Sequence, residues 1–424
     1  MSNEAVLAEG GIQIEVPDNW DAATSDTPTP LYRPLPTEVK HLTPEWLTTA
    51  LSSKAPGLVV KGLEITEVRH GFTSLIFLTL DLNDAGREAG VTRNIVIKGG
   101  FTHYSRHYFF GYAMEAQSYR DVWPDLGLNI PRTFFVDIES KTQQSIIIME
   151  NLNDREVDWT SVYEPLNYDQ MRRRLSALAE IHAKSWDKPD LEPGGKWSGV
   201  LANGIRLQRH NMEASGLMLA DKPQGRDELL EQAPPFLTPQ GWELLWDLPQ
   251  NAMVPMQHRG LEWNRQAILY LEALSDQLPN CIVHGDMHLH NQYTEPDGTP
   301  GFFDMMPRRE PPFFEVCYAI TSDLDPVDRR KWERSLVGHY VDELADHGVE
   351  QDFDLAMYYY ALMLHQGHIW FIVNDPVWQS VKFNTANNSR FQAAMVDNGT
   401  KELLDAAFVG HVPPGAISAF AALG

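Results

Sequence analysis

The chain has 424 residues, with 34 Lys and Arg against 58 Asp and Glu, a formal charge of −24. That balance argues against a nucleic-acid backbone or an anionic membrane as the main partner. The 43% apolar content is that of an ordinary soluble globular chain, and no apolar run approaches the roughly 20 residues of a membrane span. The opening stretch MSNEAVLAEGG has neither a basic n-region nor a long apolar h-region, so no secretory signal is read there. Cys281 and Cys317 have no metal-ligand spacing and read as buried apolar residues in a reducing, cytoplasmic setting.

Residues 1–40 form a lead whose Pro17, Pro28, Pro30, Pro34 and Pro36 predict irregular chain. A helix then opens at Thr43-Pro44, with Thr43 as N-cap and Trp46, Leu47 and Leu51 facing inward. Two strands follow, LVVKGLEITEVRH and SLIFLTLDL, joined by His70-Gly71-Phe72-Thr73-Ser74. A third, Asn94-Ile95-Val96-Ile97-Lys98, stops at Gly99-Gly100 and sets Lys98 on the opposite side of the pleat from Ile97. Tyr112 to Val122 reads as a helix with Glu115 on its inner turn. After Asn129-Ile130-Pro131 come the strands TFFVDI and QSIIIME, the second ending at Met149-Glu150-Asn151-Leu152.

Beyond residue 150 the pattern turns helical. Met171, Leu175, Leu178, His182 and Ser185 recur at helical spacing, and His182 reads as a satisfied core histidine. The stretch 190–277 is first rich in Gly, Pro and charge, then helical again, and carries Trp197, Trp242, Trp246 and Trp263. Ala319 to Leu344 and Asp354 to Val373 read as long helices, the second apolar nearly all round and therefore central. Its His365 and His368 lack a third ligand nearby and are not read as a metal site. The tail from Asn374 reads as short helical pieces.

The chemistry concentrates between Cys281 and Phe314. An apolar run, Cys281-Ile282-Val283, ends at His284-Gly285-Asp286, and Asn291 follows. A second apolar run, Gly301 to Phe303, ends at Asp304. Two short strands each deliver a carboxylate at their C-terminal end, with a carboxamide between them. Phosphoryl transfer from ATP needs this set: an Asp to orient and deprotonate a hydroxyl, and an Asn and an Asp to hold Mg2+ against the phosphates. A lysine at the position of Lys98 can reach those phosphates. Arg308 and Arg309 read as a solvated loop.

The pattern H-G-D-x-H-x-x-N followed by F-D resembles the aminoglycoside phosphotransferase and choline kinase superfamily, most of all its ecdysteroid kinase-like branch, over about Gly57 to Val373. The resemblance implies a two-lobed, protein-kinase-like α+β fold. Its β-sheet N-lobe would span 41–150, with five strands and an inserted helix. Its helical C-lobe would span 151–424, with the catalytic loop at 281–304 and a helical acceptor insert at about 190–277. Aromatic residues of that insert would line an apolar or cationic acceptor pocket.

Residue by residue, the resemblance implies Asp286 as catalytic base and Asn291 and Asp304 as Mg2+ ligands. Lys98 would hold the non-transferred phosphates of ATP, paired with Glu115 of an E-x-x-x-Y helix. Gly71, Thr73 and Ser74 would cover the phosphates, and Glu150 and Leu152 would mark the hinge whose backbone pairs with adenine. His284 and His288 would support the loop, while His290 has no assigned role. The run Pro311-Pro312-Phe313-Phe314-Glu315-Val316 resembles the family's G-D-P-x-x-D-L segment. Here Glu315 stands where Asp is usual and the preceding G-D is absent, a departure that touches the loop's supporting contacts and not the metal ligands.

The expected activity is a Mg-ATP-dependent O-phosphotransferase acting on a small, hydrophobic, steroid-like alcohol. An aminoglycoside- or choline-type acceptor is the alternative within the superfamily, and a nucleotide-binding pseudokinase the alternative outside it. The presence of base, both metal ligands and strand lysine speaks against the pseudokinase. The lack of an A-P-E-type segment after Asp304 speaks against a protein substrate.

Overall fold

The computed structural model describes residues 29–420 except 54, 72, 103–104, 106–108, 193, 203, 205–259 and 373–380. The start of the lead, Phe72, Trp242, Trp246 and the greater part of the acceptor insert lie outside the described residues. Helix α1 (Pro44–Ser52) starts as its caps dictate: the Thr43 side chain accepts the Trp46 N–H, and Pro44 occupies the first turn. It buries Leu47, Ala50 and Leu51, while Trp46 stays half-buried, edge-on to Phe135.

The sheet lobe continues through β1 (Val60–His70), β2 (Ser74–Leu82), α2 (Asp84–Glu88), β3 (Asn94–Gly99), α3 (Phe109–Asp121), α4 (Trp123–Leu126), β4 (Thr133–Glu139) and β5 (Gln144–Glu150). Its five strands are antiparallel in the order β1-β2-β3-β5-β4. Strand alternation splits the apolar residues of β3 between two cores. Ile95 and Ile97 pack with Leu47, Leu51, Ile146 and Ile148 beneath α1. Val96 packs with Ile147, Met149, Tyr112 and Ala116 on the α3 side. Lys98 shares the Val96 face, so the pleat turns it toward α3. The described end of the lead is tied down here: Arg33 pairs with Asp137, and the Leu35 N–H donates to Glu139 Oε2 at 2.8 Å.

The helical lobe begins with β6 (Asp158–Trp159) and α5 (Tyr168–Ser185), which opens in a capping box between Asn167 and Gln170. Then come β7 (Leu201–Ala202), α6 (Gly260–Ser275), β8 (Cys281–Val283), β9 (Gln292–Thr294), β10 (Pro300–Phe302) and β11 (Arg308–Glu310). These short strands form two three-stranded sheets, β10-β9-β6 and β7-β11-β8. Helices α7 (Pro312–Asp323), α8 (Pro326–Asp346), α9 (Phe353–Ile372), α10 (Val381–Asp397) and α11 (Thr400–Ala407) complete the lobe. The expected α+β division, an antiparallel β-sheet N-terminal lobe followed by a largely helical C-terminal one, is thus present. Tyr360, Leu362, Met363 and Leu364 are all buried, so α9 is central as its apolar circumference requires.

Two expectations need correction. Ala319 to Leu344 is not one helix: Pro326 has no N–H to continue α7, and Asp325 accepts the Val327 N–H at 2.8 Å, capping a new helix. The tail is more than short pieces, because α10 runs 17 residues and buries Phe383, Phe391 and Met395. Among the described residues no helix is long and apolar enough to cross a membrane.

Candidate active site

Lys98, at the end of β3, is 6% exposed and donates to Glu115 Oε1 at 2.8 Å. It also pairs with Asp304, which arrives from the other lobe. Burial opposes the Lys98 charge, but the Asp304 and Glu115 carboxylates outweigh it and raise the pKa. One ammonium shared between two carboxylates leaves Glu115 under-compensated. Burial pushes its pKa up to about 7 against the pull of Lys98. Asp304 has φ +55°, which turns it out of the line of β10 and leaves its side chain 56% exposed, open to a ligand.

The turn after β8 positions Asp286. Gly285 sits at φ +86°, and a Cβ there would stand 1.9 Å from the Met306 carbonyl oxygen, so only glycine fits. The buried His284 ring accepts the Asp286 N–H at Nδ1, 3.2 Å away, and donates from Nε2 to the Phe303 carbonyl at 3.2 Å. These two bonds set a neutral tautomer and tie the Asp286 turn to the residue preceding Asp304. Burial lowers the His284 pKa, in keeping with the neutral ring.

Both oxygens of the Asp286 carboxylate are engaged. Oδ2 accepts from Asn291 Nδ2 at 3.0 Å, with His288 Nε2 at 3.4 Å, and Oδ1 accepts from the Tyr318 hydroxyl at 3.1 Å. Burial works against the Asp286 charge, yet His288 foremost, then the Tyr318 hydroxyl, hold the pKa down at about 2. Burial likewise opposes a charge on His288, but Asp286 prevails and raises its pKa. His288 Nδ1 donates to the Leu289 carbonyl, and its ring lies 4.9 Å from that of Phe383. The two histidines of the motif thus differ: burial lowers the pKa of one, a strut between backbone groups, and the Asp286 carboxylate raises that of the other.

Glu315, where the resemblance leads one to expect Asp, makes loop-supporting contacts. From α7 it accepts the N–H groups of His284 at 3.0 Å and Gly285 at 2.7 Å, and His182 Nε2 donates to it at 3.0 Å. His182 in turn accepts from the Tyr340 hydroxyl at 2.8 Å, so a buried relay runs from α8 through α5 and Glu315 to the His284-Gly285 turn. Burial raises the cost of the Glu315 charge, but His182 and these donors lower its pKa.

Arg308 is a correction. It is not solvated but fully buried, between the Phe314 and Trp370 rings at 5.3 and 4.8 Å. Its Nη2 donates to the Gly285 carbonyl at 2.7 Å. Pairing of β11 with β8 drives it inward, since Arg308 lies opposite Val283. Arg309 is half-buried and donates to the Leu191 carbonyl at 2.8 Å.

The Gly71 N–H donates to the Thr73 carbonyl at 2.9 Å, closing the β1–β2 turn, and Ser74 pairs with Gly99 beside Lys98. Glu150 spends its carboxylate inside the protein, accepting from the Arg132 N–H at 2.9 Å and Arg155 Nη1 at 3.0 Å. Leu152 is buried in a single turn after β5.

Among the described residues no group of three or more His, Cys, Asp or Glu side chains is placed to hold a metal alone. Mg2+ does not need one, because it takes one or two protein oxygens and completes its shell with water and phosphate. Asn291 has its Nδ2 committed to Asp286, which leaves Oδ1 as the donor oxygen, and Asp304 offers an exposed carboxylate. This hard-oxygen pair fits the ion. Sequence reasoning missed Tyr318, though it lies three residues after Glu315 on one helix and so shares its face.

No family model matches the chain, and no curated protein does. Solved structures similar to it include a choline kinase from Cryptosporidium parvum, at 12% identity and TM-score 0.46 over 85% of this chain and 96% of that one. A second is the choline kinase LicA from Streptococcus pneumoniae, at 10% identity and TM-score 0.44 over 84% and 98%. A third is a GDP complex of aminoglycoside 2'-phosphotransferase-IIIa, at 12% identity and TM-score 0.42 over 84% and 99%.

Proposed function

We propose that this chain is a Mg-ATP-dependent O-phosphotransferase for a small hydroxylated molecule, within the aminoglycoside phosphotransferase and choline kinase superfamily. The observation that supports it most is the meeting of Lys98 with Asp304 across the two lobes, with the Asp286–Asn291 pair on the adjoining turn. In this reading Lys98, oriented by Glu115, holds the non-transferred phosphates. Asp286 orients the acceptor hydroxyl and takes its proton. The acceptor oxygen bonds to the γ-phosphorus as the bond from that phosphorus to the β,γ-bridging oxygen breaks, and ADP leaves. Asn291 and Asp304 would hold Mg2+, which supplies charge neutralisation at the phosphates.

The acceptor we favour is an apolar, steroid-like alcohol. Supporting this are the aromatic rings behind Asp286, where Phe371 packs against both Tyr318 and Phe383. Amino sugars and choline-type alcohols are the competing acceptors. Free, buried Cys281 and Cys317 suit a reducing, cytoplasmic setting.

The first test is thermal unfolding with and without Mg-ATP. Binding to the native state alone stabilises it by about 2.7 kcal/mol at a hundredfold excess over Kd. A magnesium-dependent rise in Tm leads to a radiolabel screen of sterols, amino sugars and choline-like alcohols. No shift with any nucleotide at millimolar concentration overturns the proposal.

A further inference from the structure

The catalytic-loop motif accounts for the partners of only one oxygen of Asp286. Oδ2 faces Asn291 and His288, both within the loop. Oδ1 is engaged by Tyr318, 32 residues further along the chain on α7. We propose that Tyr318 is a positioning residue for phosphoryl transfer, holding Asp286 so that the remaining lone pair of Oδ1 meets the acceptor hydroxyl. The proposal rests on the phosphotransferase reading above.

Packing makes Tyr318 suited to the task. Its ring is 1% exposed and lies nearly parallel to Phe371, 5.3 Å away at 13°. Phe314 and Phe391 flank it, each at 5.6 Å. The ring cannot swing without disturbing the packing of α7 against α9 and α10. The helices of the lobe, rather than the loop, therefore set where the hydroxyl stands.

A carboxylate rotates through a broad, shallow torsion about its last bond. A donor on Oδ2 alone leaves that rotation loose, whereas a donor on each oxygen restrains it. Burial and the Asp286 charge raise the Tyr318 pKa well above the usual phenol value, so it stays a donor. The hydrogen bond also lowers the basicity of Asp286. In a loose transition state that loss matters less than orientation, where a displacement of about 1 Å costs on the order of a hundredfold in rate.

The test uses the full chain with water as acceptor, reading phosphate release from Mg-ATP. Here the water oxygen bonds to the γ-phosphorus, the bridging bond breaks, and Asp286 takes the proton. Tyr318→Phe keeps the ring and its stack and removes only the hydroxyl. The expected result is about a tenfold fall in kcat with KM for ATP and the Mg-ATP thermal shift unchanged. In an Asp286→Ala background the same change should have no further effect, because Tyr318 acts through Asp286. Unchanged kcat in Tyr318→Phe, losses that multiply in the double variant, or a fall in kcat accompanied by a lost thermal shift would each overturn the role. A native chain that neither shifts with Mg-ATP nor releases phosphate sinks the phosphotransferase reading and this role together. Native turnover with an insensitive Tyr318→Phe sinks this role alone.

Discussion

Glu315 holds Gly285 by its backbone, accepting that N–H at 2.7 Å from a helix that starts 27 residues later in the chain. The same carboxylate accepts the His284 N–H, so it acts as a clasp on the two peptide groups that precede Asp286. A shorter Asp in this position would withdraw by about one carbon–carbon bond, roughly 1.5 Å. The longer side chain is what lets one carboxylate reach both backbone donors.

This leads to a prediction about Glu315→Gln. The amide offers one acceptor where the carboxylate offers two and turns an NH2 toward a backbone donor. Hydrogen bonds to a charged group contribute about 1.5–3 kcal/mol each, so urea unfolding should show a loss of that order. Glu315→Asp should lower kcat while leaving Mg-ATP binding near native. Native stability in Glu315→Gln would show that the clasp carries little weight.

Asp286→Ala should remove the proton acceptor and leave the phosphate and metal groups in place. Turnover should fall by about 10²–10⁴-fold, the usual range for a lost general base, with the Mg-ATP thermal shift retained. Single-turnover phosphate transfer measures this directly, and unchanged turnover would take Asp286 out of the mechanism.

Asp304→Asn should act on the other half of the site. It removes the exposed carboxylate of the metal pair and frees Lys98 of one of its two partners. Magnesium-dependent ATP binding should weaken strongly, as read by titration calorimetry with and without Mg2+. Equal affinity in native and variant would refute the metal assignment.

Glu115 predicts a pH dependence of stability. Its folded pKa, up at about 7, lies above the ordinary value of 4.5, so the folded state binds the extra proton between the two. The stability Glu115 contributes is therefore complete below pH 4.5 and is lost as pH rises through 7. Urea midpoints between pH 5 and 8 should fall more steeply for the native chain than for Glu115→Gln. Parallel profiles would place that titration elsewhere.

Gly285→Ala should fail structurally rather than chemically. The methyl group would meet the Met306 carbonyl at 1.9 Å in a left-handed backbone that itself costs about 1–2 kcal/mol for an L-residue. The turn must move, and with it Asp286. Reduced stability together with lost turnover is expected, and native behaviour in both would mean that the turn is not as described.

The sequence determined the placement of Lys98, Asp286 and Asp304 at strand ends, because strand period and abrupt stops at glycine and aspartate are local properties. Glu115 was legible only from its order in the chain, because α3 is buried nearly all round from Gly111 to Tyr119. The break at Asp325-Pro326 is legible in proline chemistry, although the apolar pattern runs on across it and reads as one helix. Only the tertiary structure decided that Arg308 is buried beneath Gly285, that Glu315 reaches two backbone donors, and that Tyr318 closes on the second oxygen of Asp286. Each of these joins elements well separated in the chain, and no local periodicity records which side chain a folded neighbour leaves dry. The environment that moves the carboxylates of Asp286 and Glu115 in opposite directions is of the same kind: it comes from burial and from charges brought together by packing.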